Sequence, residues 1–177
     1  MLKVECFEKI ESFLEKKILW DLYNISFGDD IICAQDQMCY DEDFFTKALD
    51  DPDYLKFILY QYNSPVGIAL MTNNLVKARI AYCNDKFLIN KYPEYAKDKK
   101  IYYITCLCVD KKHKGEVRYI LFNMCKFIYL NQAIVVFDYS NNKNSSLPIL
   151  IKRVANRISK INETTLDHQI FESMVFT

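Results

Sequence analysis

The chain has 177 residues, 51% of them apolar and 26% charged, which suits one domain, residues 1–177, with a well-buried core. Its 23 lysines and arginines are balanced by 23 acids and its isoelectric point is about 6.7, so no global positive field holds a polyanion and nucleic acid is a poor partner. Seven cysteines, an odd number, and a charged start where a signal peptide needs an apolar core read as reduced thiols in a cytoplasmic protein. No apolar run approaches the roughly 20 residues of a membrane span, so none is expected.

Leu2 to Phe7 reads as a short strand, and the steps Ile10, Leu14, Ile18, Leu22, Ile25 predict an amphipathic helix over 8–25. The acids that open DEDFFTKAL (41–49) suit the positive end of a helix dipole, so a second, shorter helix is expected. YLKFILYQ (54–61) and VGIALMTN (66–73), joined by residues 62–65, predict an antiparallel hairpin. KARIAYCN (77–84) reads as a strand extension and DKFLINKYPEYAKDKK (85–100) as a helical or irregular excursion. The three glycines, Gly28, Gly67 and Gly115, are each expected in a polar turn between apolar segments.

IYYITCLCV (101–109) is apolar on both faces, as a strand covered on both sides must be. In the next segment Val117, Ile120, Leu121, Met124, Phe127 and Ile128 mark one helical face, and AIVVFDY (133–139) reads as another buried strand. Two strands joined by a helix of this length run parallel with a right-handed crossover. Ser145 and Ser146 then offer an N-cap, Pro148 fits a first turn, and Leu147, Leu150, Ile151, Val154 and Ile158 form a stripe. NETTL (162–166) and QIFESMVF (169–176) read as a closing hairpin. The fold class is therefore α/β with a mixed central sheet: an antiparallel hairpin, a β-α-β parallel pair, then a helix and a C-terminal hairpin.

LCVDKKHKGEVRYIL (107–121) puts a loop with several cations and one glycine between a buried strand and a helix start. Free N–H groups at a helix start, with the dipole behind them, favour a phosphate, and Lys111, Lys112, Lys114 and Arg118 add charge that Glu116 partly offsets. The plain alternative is a solvated turn with surface lysines.

From about Tyr54 to Phe176 this order of elements resembles the GNAT superfamily of N-acetyltransferases, whose pyrophosphate loop after the fourth strand runs Gln or Arg, x, x, Gly, x, Gly or Ala. Two registers fit: Lys114 to Tyr119 without a gap, or Lys112-His113-Lys114-Gly115-Glu116-Val117, which aligns Ile120-Leu121 with the family's apolar pair and is preferred on helix packing. The segment Asn144 to Asn156 resembles the family pattern after its fifth strand at Asn144, Leu150 and Arg153, with Ile151 where the family carries a tyrosine acid. The resemblance implies acetyl-CoA as cosubstrate and an amine acceptor, with the backbone of Leu107, Cys108 and Val109 on the pantetheine arm and Lys112, Lys114, Gly115, Glu116, Val117, Arg118 and Asn144 about the cofactor. It implies a base at Tyr103, and Tyr139 stands where a proton donor would serve. Both tyrosines also read as ordinary core or rim aromatics. A GNAT-like domain that binds a ligand or partner without catalysis is the alternative reading.

Cys106 and Cys108 read as small buried thiols; with two histidines in the chain and no C-x-x-C pair, no metal site is expected. Between Asp29 and Asp53 stand nine acids and one cation, Lys47, which suits a cationic acceptor or an ordinary solvated face. Residues 86–100 are read in two ways, as the contact of a homodimer or as a cover for the acceptor cleft.

Overall fold

Pairing between strands positions everything that follows. The computed structural model describes residues 1–27, 40–78, 84–139 and 146–166. In chain order these form β1 (Leu2–Phe7), α1 (Phe13–Phe27), α2 (Glu42–Asp50), β2 (Tyr54–Gln61), β3 (Ser64–Thr72), α3 (Asp85–Lys91), α4 (Pro93–Lys97), β4 (Ile101–Val109), a 3₁₀ segment (Lys111–Glu116), α5 (Val117–Leu130), β5 (Ile134–Val136) and α6 (Leu147–Ala155). The strands form one sheet in sequence order. β1 to β4 run antiparallel and β5 lies parallel to β4, so the mixed α/β architecture expected from the sequence is present.

The start of α2 has a local cause. Asp41 accepts the Phe44 N–H at 2.7 Å and starts α2. The β2–β3 turn is tighter than expected: Tyr62 and Asn63 both take positive φ, 49° and 68°, the pattern of a two-residue hairpin whose twist matches its strands. β3 therefore begins at Ser64, and Gly67 lies inside the strand rather than in a turn. A Cβ there would stand 2.6 Å from Val109 Cγ1 and 3.1 Å from Ile120 Cδ1. The glycine lets β4 and α5 close on the sheet.

The sheet separates two main layers of core. On one side Leu19, Leu22 and Tyr23 of α1 and Phe45 and Leu49 of α2 pack on Ile58, Ile68, Leu70, Cys106 and Cys108. On the other, Ile120, Met124 and Ile128 of α5 pack on Phe57, Leu59, Ala69 and Met71. Full burial of each such aliphatic side chain contributes about 1.5–3 kcal/mol. α6 joins the α5 side through Leu121, Ile151 and Val154.

The expected stripe on α1 is corrected. Leu14, Ile18 and Ile25 are exposed, whereas Leu19, Leu22 and Tyr23 are buried. Trp20, Tyr23 and Phe27 are drawn in by ring contacts, Trp20 stacking on Tyr23 at 5.7 Å and Tyr23 on Tyr40 at 5.7 Å. Ile10 is buried before the helix begins, where its N–H donates to the Leu49 carbonyl at 3.0 Å. Residues 162–166 form no strand. Gly28, residues 79–83, Asn144, Ser145 and residues 169–176 lie outside the described residues.

Candidate functional site

Two irregularities in β4 create the site. The first is a bulge. Leu70 lies opposite Cys106 and Met71 opposite Ile104, which leaves Thr105 as an extra residue in the ladder. An extra residue reverses side-chain parity. Tyr102 and Ile104 before it, and Leu107 and Val109 after it, all pack toward the α5 layer, while Cys106 and Cys108 join the α1 layer.

The second is the short fifth strand. β5 pairs with β4 at Ile101, Tyr102 and Tyr103 only, ending at Val136, while β4 continues to Val109. The Asp110 N–H donates to the Val66 carbonyl at 2.8 Å, and antiparallel partners alternate in which edge their polar groups face. Cys108, two residues back and opposite Ile68, thus gives its amide and carbonyl to β3. The backbone groups of Leu107 and Val109 face the other way, toward the side β5 has left. Of the three expected backbone contacts, Leu107 and Val109 are turned to the side that β5 leaves unpaired and Cys108 is engaged in the sheet. Leu107 and Phe137 both pack against Leu121, Ile151 and Val154, which floors this edge with α5 and α6.

The loop after β4 differs from expectation. Residues 111–116 form two short 3₁₀ turns that meet at a kink at His113, the second of which runs directly into α5. Winding of this kind supplies amides with carbonyls three residues back, so the start of α5 near Val117 is not the first free turn of a helix. At the start of the first 3₁₀ turn the chain supplies its own caps: the Asp110 carboxylate accepts the Lys112 N–H at 2.8 Å and the Asp110 carbonyl accepts the His113 N–H at 2.7 Å. Lys111, Lys112 and Lys114 are exposed, and a Cβ on Gly115 would meet no atom within 4 Å. Neither crowding nor a positive φ requires a glycine at 115. Arg118 lies over the Tyr119 ring and 3.8 Å from the buried Glu116 Oε2. Val117 packs into the α5–α6 contact, and Ile120 and Leu121 are buried.

On the α1 face, a row of phenols borders the bulge. Tyr103, 5% exposed, donates its hydroxyl to Asp138 Oδ1. Tyr40 donates to the Thr105 carbonyl at 3.4 Å, and burial pushes its phenol well above the ordinary range. The Tyr40 N–H in turn donates to the Tyr23 hydroxyl at 2.8 Å. Tyr139 is exposed and in ring contact with Phe137 at 6.3 Å. The fold thus joins Tyr103 to an exposed carboxylate, Asp138, which sequence reading did not single out; an acid closing the apolar run AIVVF was the available signal. Nothing in the sequence marked Tyr40. Burial also raises the Cys106 thiol, first by desolvation and then through Cys108, so it is a poor nucleophile.

The acidic run is largely engaged within the chain. Asp43 pairs with Lys47 at 2.5 Å and Asp50 with Lys16 at 2.6 Å. Asp51 and Asp53 share Lys77 at 2.6 and 2.7 Å. Hydrogen bonds from Lys77 and Asn74 hold the Asp53 carboxyl below the usual carboxylate range. Asp29, Asp30 and Asp36 lie outside the described residues. A depression of about 410 Å³ lies elsewhere, over β1 and α1, and includes none of the β4–β5 residues.

No protein-family model matches the chain, and no curated protein sequence does. Solved structures do. The ribosomal-protein-S18-alanine N-acetyltransferase from Escherichia coli superposes with a TM-score of 0.55 at 11% identity, covering 87% of this chain and 76% of that one. A putative acetyltransferase from Pyrococcus horikoshii gives 0.55 at 14% identity, covering 86% and 88%. A GCN5-related N-acetyltransferase from Ralstonia eutropha JMP134 gives 0.54 at 13% identity, covering 96% and 99%. The chain therefore has the fold of the GNAT N-acetyltransferases.

Proposed function

We propose that this protein is an acyl-CoA-dependent N-acetyltransferase that moves an acetyl group directly from acetyl-CoA to an amine within a ternary complex. The observation that carries the reading is the parting of β4 from β5 after Tyr103 and Val136, with the backbone of Leu107 and Val109 turned to the open side. An amide-rich pantetheine arm fits such an edge, because it pairs with main chain as a strand would.

The remaining residues suit the same ligand. Lys112, Lys114 and Arg118 supply positive charge near the pyrophosphate, and the open flank of Gly115 gives it room. The family pattern assigns Glu116 to the same loop and Asn144 to the segment that follows the fifth strand. The thioester supplies an activated acetyl group. Asp138 attracts the incoming ammonium, and the Tyr103–Asp138 pair receives the proton that the amine must lose to become a nucleophile. As the C–S bond breaks, Tyr139 returns a proton to the departing thiolate, a role the family gives to the position held here by Ile151.

One observation favours the second reading, a GNAT-like domain that binds without transfer: Asp110 places the chain's own carboxylate on the Lys112 amide of the loop after β4. Calorimetry with acetyl-CoA, followed by thiol release across an amine panel, separates the readings. Binding with thiol release supports the transferase, binding without release across the panel supports the second reading, and no heat at millimolar acetyl-CoA overturns the transferase.

A further inference from the structure

Among the described residues no strand pairs with the outer edge of β1, the first strand of the sheet. Which of its polar groups are free follows from one bond. The Tyr62 N–H donates to the Met1 carbonyl at 3.4 Å, so odd-numbered residues of β1 face β2 and the backbone of Leu2, Val4 and Cys6 faces outward. Such an edge templates another strand unless something blocks it. β1 contains no proline and, within its ladder to β2, no register shift.

The side chains of that edge are complementary to a copy of themselves. Lys3 and Glu5 project together on the α1 face, 2.9 Å apart and about half exposed. An antiparallel pairing of two β1 strands about a two-fold axis at Val4 sets Val4 against the partner's Val4 as a hydrogen-bonded pair, each exchanging N–H and carbonyl. Leu2 then faces the partner's Cys6. Lys3 faces the partner's Glu5, and Glu5 the partner's Lys3, both at the closer, non-hydrogen-bonded positions where opposite charges interact best. A shift by one residue sets Lys3 against the partner's Val4 or Cys6 and loses the match.

Both faces of β1 agree with this. On the α5 face, Leu2 and Val4 are only partly buried at the margin of the core, and the partner's Leu2 and Val4 would extend that layer. On the other, the 410 Å³ depression is bordered by Lys3, Glu5 and Tyr60 with Leu14 and Ile18 of α1. Leu14 is 68% exposed and Ile18 38%, so apolar surface overlooks the charged row.

We infer that β1 is an isologous dimer edge, through which two copies of this chain join their sheets into one continuous sheet. This assignment rests on the edge alone and is independent of the acyl-CoA reading. It places the dimer contact at the opposite end of the sheet from residues 86–100.

Light scattering on the eluting peak, with circular dichroism as a check on folding, tests it. The wild type should elute near 42 kDa, twice the 21.0 kDa of the chain. Val4→Pro removes an outward N–H and no bond to β2, a position where an edge strand tolerates proline, and should elute as a folded monomer. Lys3→Glu and Glu5→Lys each place like charges opposite one another and should weaken the dimer roughly ten- to thirty-fold. The exchange K3E/E5K should restore it. A monomeric wild type, a dimer indifferent to Val4→Pro and to both single charge changes, or an exchange that fails to restore the dimer overturns the inference.

Discussion

The most discriminating perturbation exploits the alternation along β4. Proline removes one N–H and fixes φ near the strand range, so its cost depends on where that N–H points. Val109 faces away from β3, at the end of the strand, whereas Cys108 lies opposite Ile68 with its backbone engaged in the ladder. Val109→Pro should therefore fold and melt within a few degrees of the wild type. Cys108→Pro removes a central ladder bond and should cost about 3 kcal/mol or more. For ligand binding the order reverses in interest: a neutral hydrogen bond to the pantetheine arm is worth about 0.5–1.5 kcal/mol, so Val109→Pro should weaken acetyl-CoA by roughly three- to tenfold. Thermal melts and calorimetry on the two variants suffice. A Val109→Pro protein that binds acetyl-CoA as tightly as the wild type refutes the role of this edge, and one that unfolds as Cys108→Pro does refutes the assignment of its amide.

Other expectations follow from single contacts. Gly67→Ala drives a methyl against Val109 and Ile120 and should cost about 1–3 kcal/mol by overpacking, with recovery in the double variant carrying Val109→Ala; denaturant melts read both. Lys56, fully buried, donates to the carbonyls of Glu8, Asp51 and Tyr54 at 2.6, 2.5 and 2.7 Å, so Lys56→Met should cost about 3 kcal/mol at neutral pH, near 1 kcal/mol for each carbonyl left without its donor. Burial also lowers the Lys56 ammonium to about 8, against about 10.4 in an unfolded chain. Between those values the unfolded state binds more protons, so this group's contribution rises with pH, and urea midpoints of wild type minus Lys56→Met should show that rise. Tyr103→Phe and Asp138→Asn should each lower turnover about a hundredfold on any acceptor found, with acetyl-CoA affinity unchanged; equal loss of affinity would assign the pair to cofactor binding.

Much of the fold was legible where one period dominates. IYYITCLCV is apolar apart from Thr105 and coincides with β4, and the α5 face was readable because Ile120, Leu121, Met124 and Ile128 leave polar residues opposite. α1 misled for the opposite reason: it carries two apolar faces, and periodicity alone does not say which meets the sheet. The aromatic rings of Trp20, Tyr23 and Phe27 decided it. In β4 the apolar residues on both sides of Thr105 concealed the bulge there, since a parity change leaves no trace where both faces are buried. β5 was expected over 133–139 and spans 134–136, because its pairing with β4 ends at Val136. That early end is the basis of the candidate site, and no residue type announces it. In the basic loop, the capping of Lys112 by Asp110 is a local geometry that composition does not reveal.

The proposed transfer requires acyl-CoA to lie along the outer backbone of β4. Amide chemical shifts of ¹⁵N-labelled protein titrated with acetyl-CoA test this residue by residue. Saturable shifts at Leu107, Val109 and Gly115, with Cys108 and β1 little changed, are the predicted result. Saturable shifts confined to other surfaces, or none at millimolar ligand, would contradict it.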